Sequence, residues 1–210
     1  MNTFLVAFAT LFATVGVADI AFIFAALTKD NTPAQRRAFA IRGTLVALAI
    51  LLFFGLLGNA ILDVFGITIP ALRTAGGVLL LLIAIDMVFA RHSGGTGTTD
   101  EEEDEAKHSP DISIFPLAMP LMAGPGAISA VILLTTSAKS DLEFWLVLLA
   151  VVATLLLAFL TLLIAIPIQR LLGLTGLSVV SRVVGILLAA LAVQFVFDGI
   201  RTSGLLGAAA

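Results

Sequence analysis

Three prolines and two glycines interrupt an otherwise apolar stretch near the middle of the chain. The stretch 115–129 reads FPLAMPLMAGPGAIS and lies inside a segment long enough to cross a membrane. Proline lacks a backbone donor and clashes with the preceding helical turn, so this stretch cannot form one straight helix. Broken backbone at membrane depth is tolerated only where protein or water satisfies it, and such breaks point to transporter binding sites. The residues expected to bind a substrate here are Pro116, Pro120, Gly124, Pro125, Gly126 and Ser129.

A helix that starts after this break would present its first amides to a bound solute. Its positive dipole end suits a substrate carboxylate, while the freed carbonyls before the break suit an ammonium group or an ion. The alternative is that the prolines only bend a helix that other spans then cover. The small residues that leave room for a small solute are Ala118, Ala123 and Ala127.

The composition indicates an integral membrane protein. Of the 210 residues, 60% are hydrophobic and 12% are charged, and the mean hydropathy is +1.16. A soluble domain is closer to half apolar and a quarter charged. The net charge of −3 and the scattered basic residues argue against a nucleic-acid partner. The absence of cysteine excludes disulfides and thiolate metal sites, and we expect neither a metal nor a cofactor.

Apolar segments of bilayer length predict an all-α fold with six membrane spans. Between spans three and four, segment 91–112 contains GGTGTT and DEEEDE and is too charged to fold, so we expect a disordered acidic loop. The loop separates two three-span halves, residues 1–90 and 113–210. The predicted spans are 3–27, 39–62, 69–89, 114–136, 144–166 and 177–200.

The basic residues predict the orientation of the spans. Most lysines and arginines follow spans one, three and five, including Arg170 in the connection between spans five and six. By the positive-inside rule that side is cytoplasmic, so both termini are periplasmic. The N-terminus lacks a charged n-region and enters an apolar segment directly, which favours a retained first span over a signal peptide.

The two halves share a residue pattern that suggests an inverted repeat. Because each half has an odd number of spans, two copies would lie in opposite orientations, as in many secondary transporters. The broken span four would then pair with span one, and the site would lie where they meet. Chance similarity between residues common in membrane helices is the alternative. The pattern matches Ile61, Gly66, Thr68, Arg73 and Gly76 to Ile168, Gly173, Thr175, Arg182 and Gly185.

Three motifs closely resemble the MarC family. They are PLAMPLMAGPGAIS, the AGG at 75–77 with LLLLIAIDMVF behind it, and VVGILLAALAVQFVFDGI near the C-terminus. The resemblance covers nearly the whole chain outside the acidic loop, in the same order and spacing. It implies a six-span protein of the bacterial inner membrane. Some similar proteins are described as transporters of small neutral amino acids such as alanine and glycine.

Span one departs from the family pattern. Where the family has Asn-Pro or Asp-Pro, then glycine and a second proline, this chain reads TVGVADIAFIF. The comparison implies that the break in span one is lost and that Asp19 has appeared beside it. A carboxylate at this depth costs at least ~2.5 kcal/mol unless the protein compensates it. Two interpretations stay open: Asp19 couples transport to a proton or cation, or it is a buried acid that only fixes packing.

Span three carries four weaker candidates. Arg73 and Asp86 are separated by about 20 Å along a regular helix, so they should not pair with each other. We favour the interpretation that both are interfacial charges whose side chains snorkel to the membrane surface. Gly76 and Gly77 are better explained by close helix packing than by ligand binding.

These features predict a secondary carrier of a small polar or zwitterionic solute, such as a neutral amino acid, that works by alternating access. The sequence contains no Walker loop or catalytic motif, so we expect no enzyme activity, with transport passive or driven by an ion or proton gradient. The alternative is a non-transporting MarC-like membrane protein, a scaffold or envelope-stress component. The expected partners are the lipid bilayer and a small solute, and a homo-oligomer stays open.

Overall fold

The computed structural model describes residues 2–28, 31–89 and 111–204. Within these ranges the chain is helical and contains no strand, which confirms the predicted all-α class. α5 is a kinked segment with hydrogen bonds between residues five apart, and the other helices are α-helices. The helices are α1 (Asn2–Val15), α2 (Val17–Leu27), α3 (Pro33–Phe65), α4 (Ile69–Phe89), α5 (Ser113–Met122), α6 (Pro125–Thr136), α7 (Asp141–Leu163) and α8 (Ala165–Thr202).

These helices provide the six predicted membrane spans. Five stretches are each long and apolar enough to cross a bilayer, and α5 with α6 form a sixth that bends by 54°. Span four is therefore broken, as expected. The side of the membrane on which the termini lie stays a prediction. The five single spans are Thr3–Ala25, Pro33–Phe65, Ile69–Phe89, Asp141–Leu163 and Arg182–Thr202.

Capping side chains fix where spans two and five begin. The hydroxyl of Thr32 accepts the N–H of Gln35 at 3.3 Å, and the Gln35 side chain accepts the N–H of Thr32 at 2.9 Å. Ser140 caps α7 by accepting the N–H of Glu143 at 3.3 Å. α3 ends at Phe65 and is capped by Gly66, whose φ of 64° lies in the left-handed region that glycine adopts without strain.

The helix that contains span six begins earlier than expected. The sequence predicts a connection before residue 177, but α8 runs without interruption from Ala165 to Thr202 and only Ile164 separates it from α7. Pro167 does not break the helix, because the missing N–H of a proline in the first turn would have no helical partner. The 38 residues of α8 extend about 57 Å, which exceeds the thickness of a bilayer.

α4 and α8 pack along most of their length. A Cβ added at Gly77 would lie 2.8 Å from the carbonyl oxygen of Ala192, and one at Gly199 would lie 2.9 Å from that of Pro70. The order of these contacts shows that the two helices are antiparallel. Glycine lets the two backbones approach closely, as is common between membrane helices.

Each broken span packs against a long helix of the other half. α7 lies against both α1 and α2, and α3 lies against both α5 and α6. One hydrophobic cluster contains Val15 and Val17, which flank the α1–α2 junction, together with Ala123 and Ala127, which flank the α5–α6 junction. The two junctions therefore share one core.

Most of the predicted acidic loop lies outside the described residues. Its last two residues are described, and Ile112 is buried in the core rather than disordered. The carboxylate of Asp111 accepts the N–H of Ser113 at 2.9 Å and forms an ion pair with Arg42 at 3.1 Å. Hydrogen bonds from the Ser113 side chain and backbone, and then the Arg42 guanidinium, lower the pKa of Asp111. These contacts fix the start of span four.

Candidate functional site

The prolines of span four interrupt α5 as the sequence predicts. Phe115 and Met119, which precede Pro116 and Pro120, have extended backbone with φ of −121° and −136°. A residue before proline is pushed towards this conformation by the proline ring. Both peptide bonds to these prolines are cis. The backbone of span four is therefore interrupted twice within α5, at Phe115 and at Met119.

Gly124 separates α5 from α6. A Cβ at this position would lie 2.5 Å from the carbonyl oxygen of Pro120, so only glycine fits. The first helical hydrogen bond of α6 runs from the N–H of Ile128 to the oxygen of Gly124 at 3.0 Å. The amides of Gly126 and Ala127 precede that bond and have no carbonyl partner within the helix. The start of α6 thus offers two free donors inside the membrane span.

The expected site residues of span four differ in exposure. Gly126 is buried against Ile83 of α4, where a Cβ would collide with the Ile83 side chain, whereas Pro125 beside it is exposed. Ser129 lies one turn further along α6 and is half-buried. Pro116 is buried near the far end of α5, away from the α5–α6 junction. The junction therefore brings together Pro120, Gly124, Pro125 and Gly126.

Span one is also broken, so the expectation that its break is lost is wrong. α1 ends at Val15 and α2 begins at Val17, and Gly16 between them has a φ of 65° and a ψ of 46°. A glycine takes this left-handed conformation without the cost of a Cβ and needs no proline to end a helix. The two pieces still form one candidate span, Thr3–Ala25.

Asp19 lies in the first turn of α2, directly after this break, and is half-buried. Its Oδ2 would be 3.7 Å from a Cβ at Gly16, so the carboxylate folds back over the helix N-terminus. A negative charge at this end of a helix interacts favourably with the helix dipole. The coupling role that the sequence suggests for Asp19 stays a prediction.

The two breaks lie close together beside α4. α1 packs on α6, and α2 packs on α5. Ala13, just before the break in span one, belongs to the same apolar cluster as Ile83 of α4. Ile83 in turn contacts Gly126, just after the break in span four. Spans one and four therefore meet, and they do so at their irregular segments.

Asp86 is buried close to this meeting point. Its residue is 7% exposed, so the expectation that its side chain snorkels to the interface is wrong. α6 and α8 both pack on α4. Asp86 follows Ile83 by about one turn, and the two side chains share a face of α4. A second carboxylate thus lies near the start of α6.

Arg73 lies at the other end of α6. Its guanidinium donates to the hydroxyl of Ser137 at 2.7 Å, and Ser137 is the C-cap of α6. A cation is favourable at this negative end of the helix. Gly76 makes only an ordinary contact there, with a Cβ position 3.7 Å from Leu133. Neither Arg73 nor Gly76 is at the breaks, and Gly77 serves the contact with α8.

Two buried hydroxyls that the sequence did not single out have no hydrogen-bond partner in the described part of the chain. Among the described residues, Thr44 of α3 and Thr154 of α7 have buried hydroxyl oxygens with no hydrogen-bond partner. Threonine is common in membrane helices, so sequence alone does not single them out. In ranges 2–28, 31–89 and 111–204, no three His, Asp or Glu side chains come together as metal ligands would.

Comparison with known proteins gives one family. The sequence model described as MarC family integral membrane protein matches residues 1–203. A UPF0056 membrane protein of Methanocaldococcus jannaschii is 37% identical over 202 residues, which cover 96% of this chain and 97% of its own. UPF0056 membrane protein YhcE of Escherichia coli is 35% identical over 195 residues, which cover 92% of this chain and 90% of its own. YvbG of Bacillus subtilis, with the same description, is 33% identical over 194 residues, 92% of each chain. No solved structure matches the chain.

Proposed function

The chain belongs to the MarC family of integral membrane proteins, and from this we propose that it is a secondary carrier of a small polar or zwitterionic solute, such as a neutral amino acid. The observation that carries the proposal is the meeting of two broken spans at one place in the core. Breaks of this kind line the substrate sites of secondary transporters. We place the carrier in the bacterial inner membrane and assign it no enzymatic activity.

The breaks offer groups that match the two ends of an amino acid. The free amides at the start of α6 and the positive dipole end of that helix suit a carboxylate. The irregular backbone of α5 supplies carbonyl oxygens, of which that of Pro120 lies beside Gly124, for an ammonium group. The surrounding side chains of Ala118, Ala123 and Ala127 are small and buried, so they favour a small solute.

Alternating access requires two halves that can exchange conformations, and the inverted repeat would supply them. Gly16 and Gly124, which precede α2 and α6, are 108 residues apart, and both Arg73–Arg182 and Gly76–Gly185 are 109 apart. This agreement supports the repeat. The matched pair Gly66 and Gly173 differs in structural position, because Gly66 follows the end of α3 whereas Gly173 lies within α8.

The alternative, a non-transporting MarC-like protein, rests on a lost break in span one. The left-handed Gly16 removes that support, because span one keeps an irregular segment without its family's prolines. Asp19, at the start of α2, and the buried Asp86 are the two carboxylates near the breaks. We assign proton or cation coupling to Asp19, with Asp86 as the second candidate.

Uptake into liposomes tests the carrier and its coupling together. Purified protein should take up labelled alanine, glycine or serine, and an imposed pH gradient should accelerate uptake. Asp19→Asn should remove the acceleration because the amide cannot carry the proton, whereas the exposed Asp141→Asn at the start of α7 should not. Absence of uptake for every solute tested would contradict the carrier, and full acceleration in Asp19→Asn would contradict the coupling role alone.

A further inference from the structure

Thr44 and Thr154 differ from the other threonines of the bundle. Hydroxyls within membrane helices usually donate to a carbonyl of the preceding turn, which satisfies them. The residue of Thr154 is only 1% exposed, yet its hydroxyl has no partner. A buried polar group without a partner is destabilising, so it indicates a missing ligand or water. Threonines that do donate to the carbonyl four residues earlier are Thr10, Thr28, Thr74, Thr135, Thr136, Thr161 and Thr202.

The two unpartnered hydroxyls occupy corresponding places in the two halves. Residues 40–45 read AIRGTL and residues 150–155 read AVVATL, which align Thr44 with Thr154 at a separation of 110. This separation is close to the 108 between Gly16 and Gly124. The same kind of group is therefore left unsatisfied on span two and on span five.

Thr154 lies at the depth of the break in span four. Val131 of α6 and Leu148 of α7 both contact Gly55 of α3, with Cβ distances of 3.0 and 3.1 Å. Pro125 precedes Val131 by about two turns and Thr154 follows Leu148 by the same number. Because α6 and α7 run in opposite directions, Pro125 and Thr154 both lie about 9 Å from the level of Gly55, on the same side of it along the helix axes.

The break in span one lies at this depth as well. Phe24 of α2 and Leu162 of α7 line the same cleft of about 260 Å³. Gly16 precedes Phe24, and Thr154 precedes Leu162, by about 12 Å of helix, and spans one and five run in the same direction. The neighbours of Thr154 on α7, including Val151, belong to the cluster that contains Val15 and Val17. The hydroxyl of Thr154 is therefore inside the core, level with both breaks.

Thr44 is next in sequence to the contact that α3 makes with the irregular part of span four. Its neighbour Gly43 contacts α5 so closely that a Cβ would be 2.6 Å from Leu117 and 2.9 Å from the carbonyl oxygen of Ser113. α3 packs on α5 and α6 in the way that α7 packs on α1 and α2. Each hydroxyl thus belongs to a helix that packs on the broken span of the other half: Thr44 on α3 against span four, and Thr154 on α7 against span one.

We propose that Thr154 and Thr44 donate or accept hydrogen bonds to the transported solute, one from each half of the protein. The inference rests on the proposed carrier function and identifies two side chains that select for a polar solute. A hydroxyl can donate to a carboxylate and accept from an ammonium group, so it suits a small zwitterion. The helix N-termini supply charge complementarity, and the threonines supply hydrogen bonds at fixed positions.

The test replaces the hydroxyl with a methyl group of nearly the same shape. In liposome uptake of alanine, glycine and serine, Thr154→Val should raise KM by about tenfold or more, because a hydrogen bond to a charged group is lost. Thr44→Val should also raise KM, and Thr154→Ser should restore it. Thr161→Val on the same helix is the matched control, because the Thr161 hydroxyl already donates to the carbonyl of Leu157 at 2.7 Å.

Thermal unfolding separates solute binding from a structural role. Thr154→Val removes an unsatisfied buried hydroxyl, so its Tm should equal or exceed that of the wild type. A KM equal to that of the wild type would overturn this inference and leave the carrier intact. A lower Tm or failure to fold, with Thr161→Val folding normally, would show a structural partner and would also overturn it. No uptake by the wild type would overturn both proposals.

Discussion

At the scale of single residues, three glycines of the breaks have separate tasks. Gly16 adopts a left-handed backbone, Gly124 admits the carbonyl of Pro120, and Gly126 admits the side chain of Ile83. A side chain at any of these positions would prevent the task, for one of two physical reasons. Conformational freedom decides the first case, and close contact decides the other two.

Gly16→Ala should destabilise the protein and reduce uptake. A left-handed alanine costs about 1–2 kcal/mol, and the strain would favour a regular helix through the break in span one. Gly66→Ala is the matched control, since Gly66 has almost the same φ of 64° and open space around its Cβ position. Thermal unfolding should show similar losses for both variants, while only Gly16→Ala loses uptake. Equal uptake by the two variants would mean that the break at Gly16 has no role in transport.

At the scale of helices, α4 organises the site. Its face towards α6 carries Ile83, which contacts Gly126, and the buried Asp86 one turn further on. Its contact with α8 depends on Gly77, Gly185 and Gly199. α4, from the first half of the chain, therefore contacts both the start of α6 and α8, which belong to the second half. A displacement between α4 and α6 would alter the binding site directly.

Gly126→Ala should disturb this contact by overpacking. The added Cβ meets the Cδ1 methyl of Ile83, and overpacking of this kind costs about 1–3 kcal/mol. Ile83→Val removes that methyl, so the double variant should recover much of the stability in a double-mutant cycle. Gly76→Ala, whose Cβ lies 3.7 Å from Leu133 in the same α4–α6 interface, should be neutral. Additive losses in the double variant would argue against the contact.

At the scale of the whole molecule, the sequence predicts most of the fold. Apolar segment length locates the six spans, and the prolines of 115–125 locate the break in span four because proline excludes a regular helix. The break at Gly16 is missed, since a lone glycine is compatible with either a helix or a junction. The continuity of α8 is missed because Pro167 is harmless in a first turn.

Tertiary packing decides the features of the site that the sequence leaves open. The burial of Asp86 depends on how other helices pack on α4, which no local pattern reveals. The state of a threonine hydroxyl depends on its rotamer, so Thr154 resembles Thr161 in sequence although only the latter bonds to its own helix. Residue type identifies candidates, and the packing of the spans separates them.

The central claim is that a small solute binds where the two broken spans meet, and protection of an introduced thiol tests it most directly. The chain has no cysteine, so Ser129→Cys on α6 near the break and Ser137→Cys at its other end provide matched single sites. Alanine or glycine should slow maleimide labelling of Ser129→Cys and leave Ser137→Cys unchanged. Equal labelling rates of Ser129→Cys with and without every solute that the protein takes up would contradict a site at the breaks.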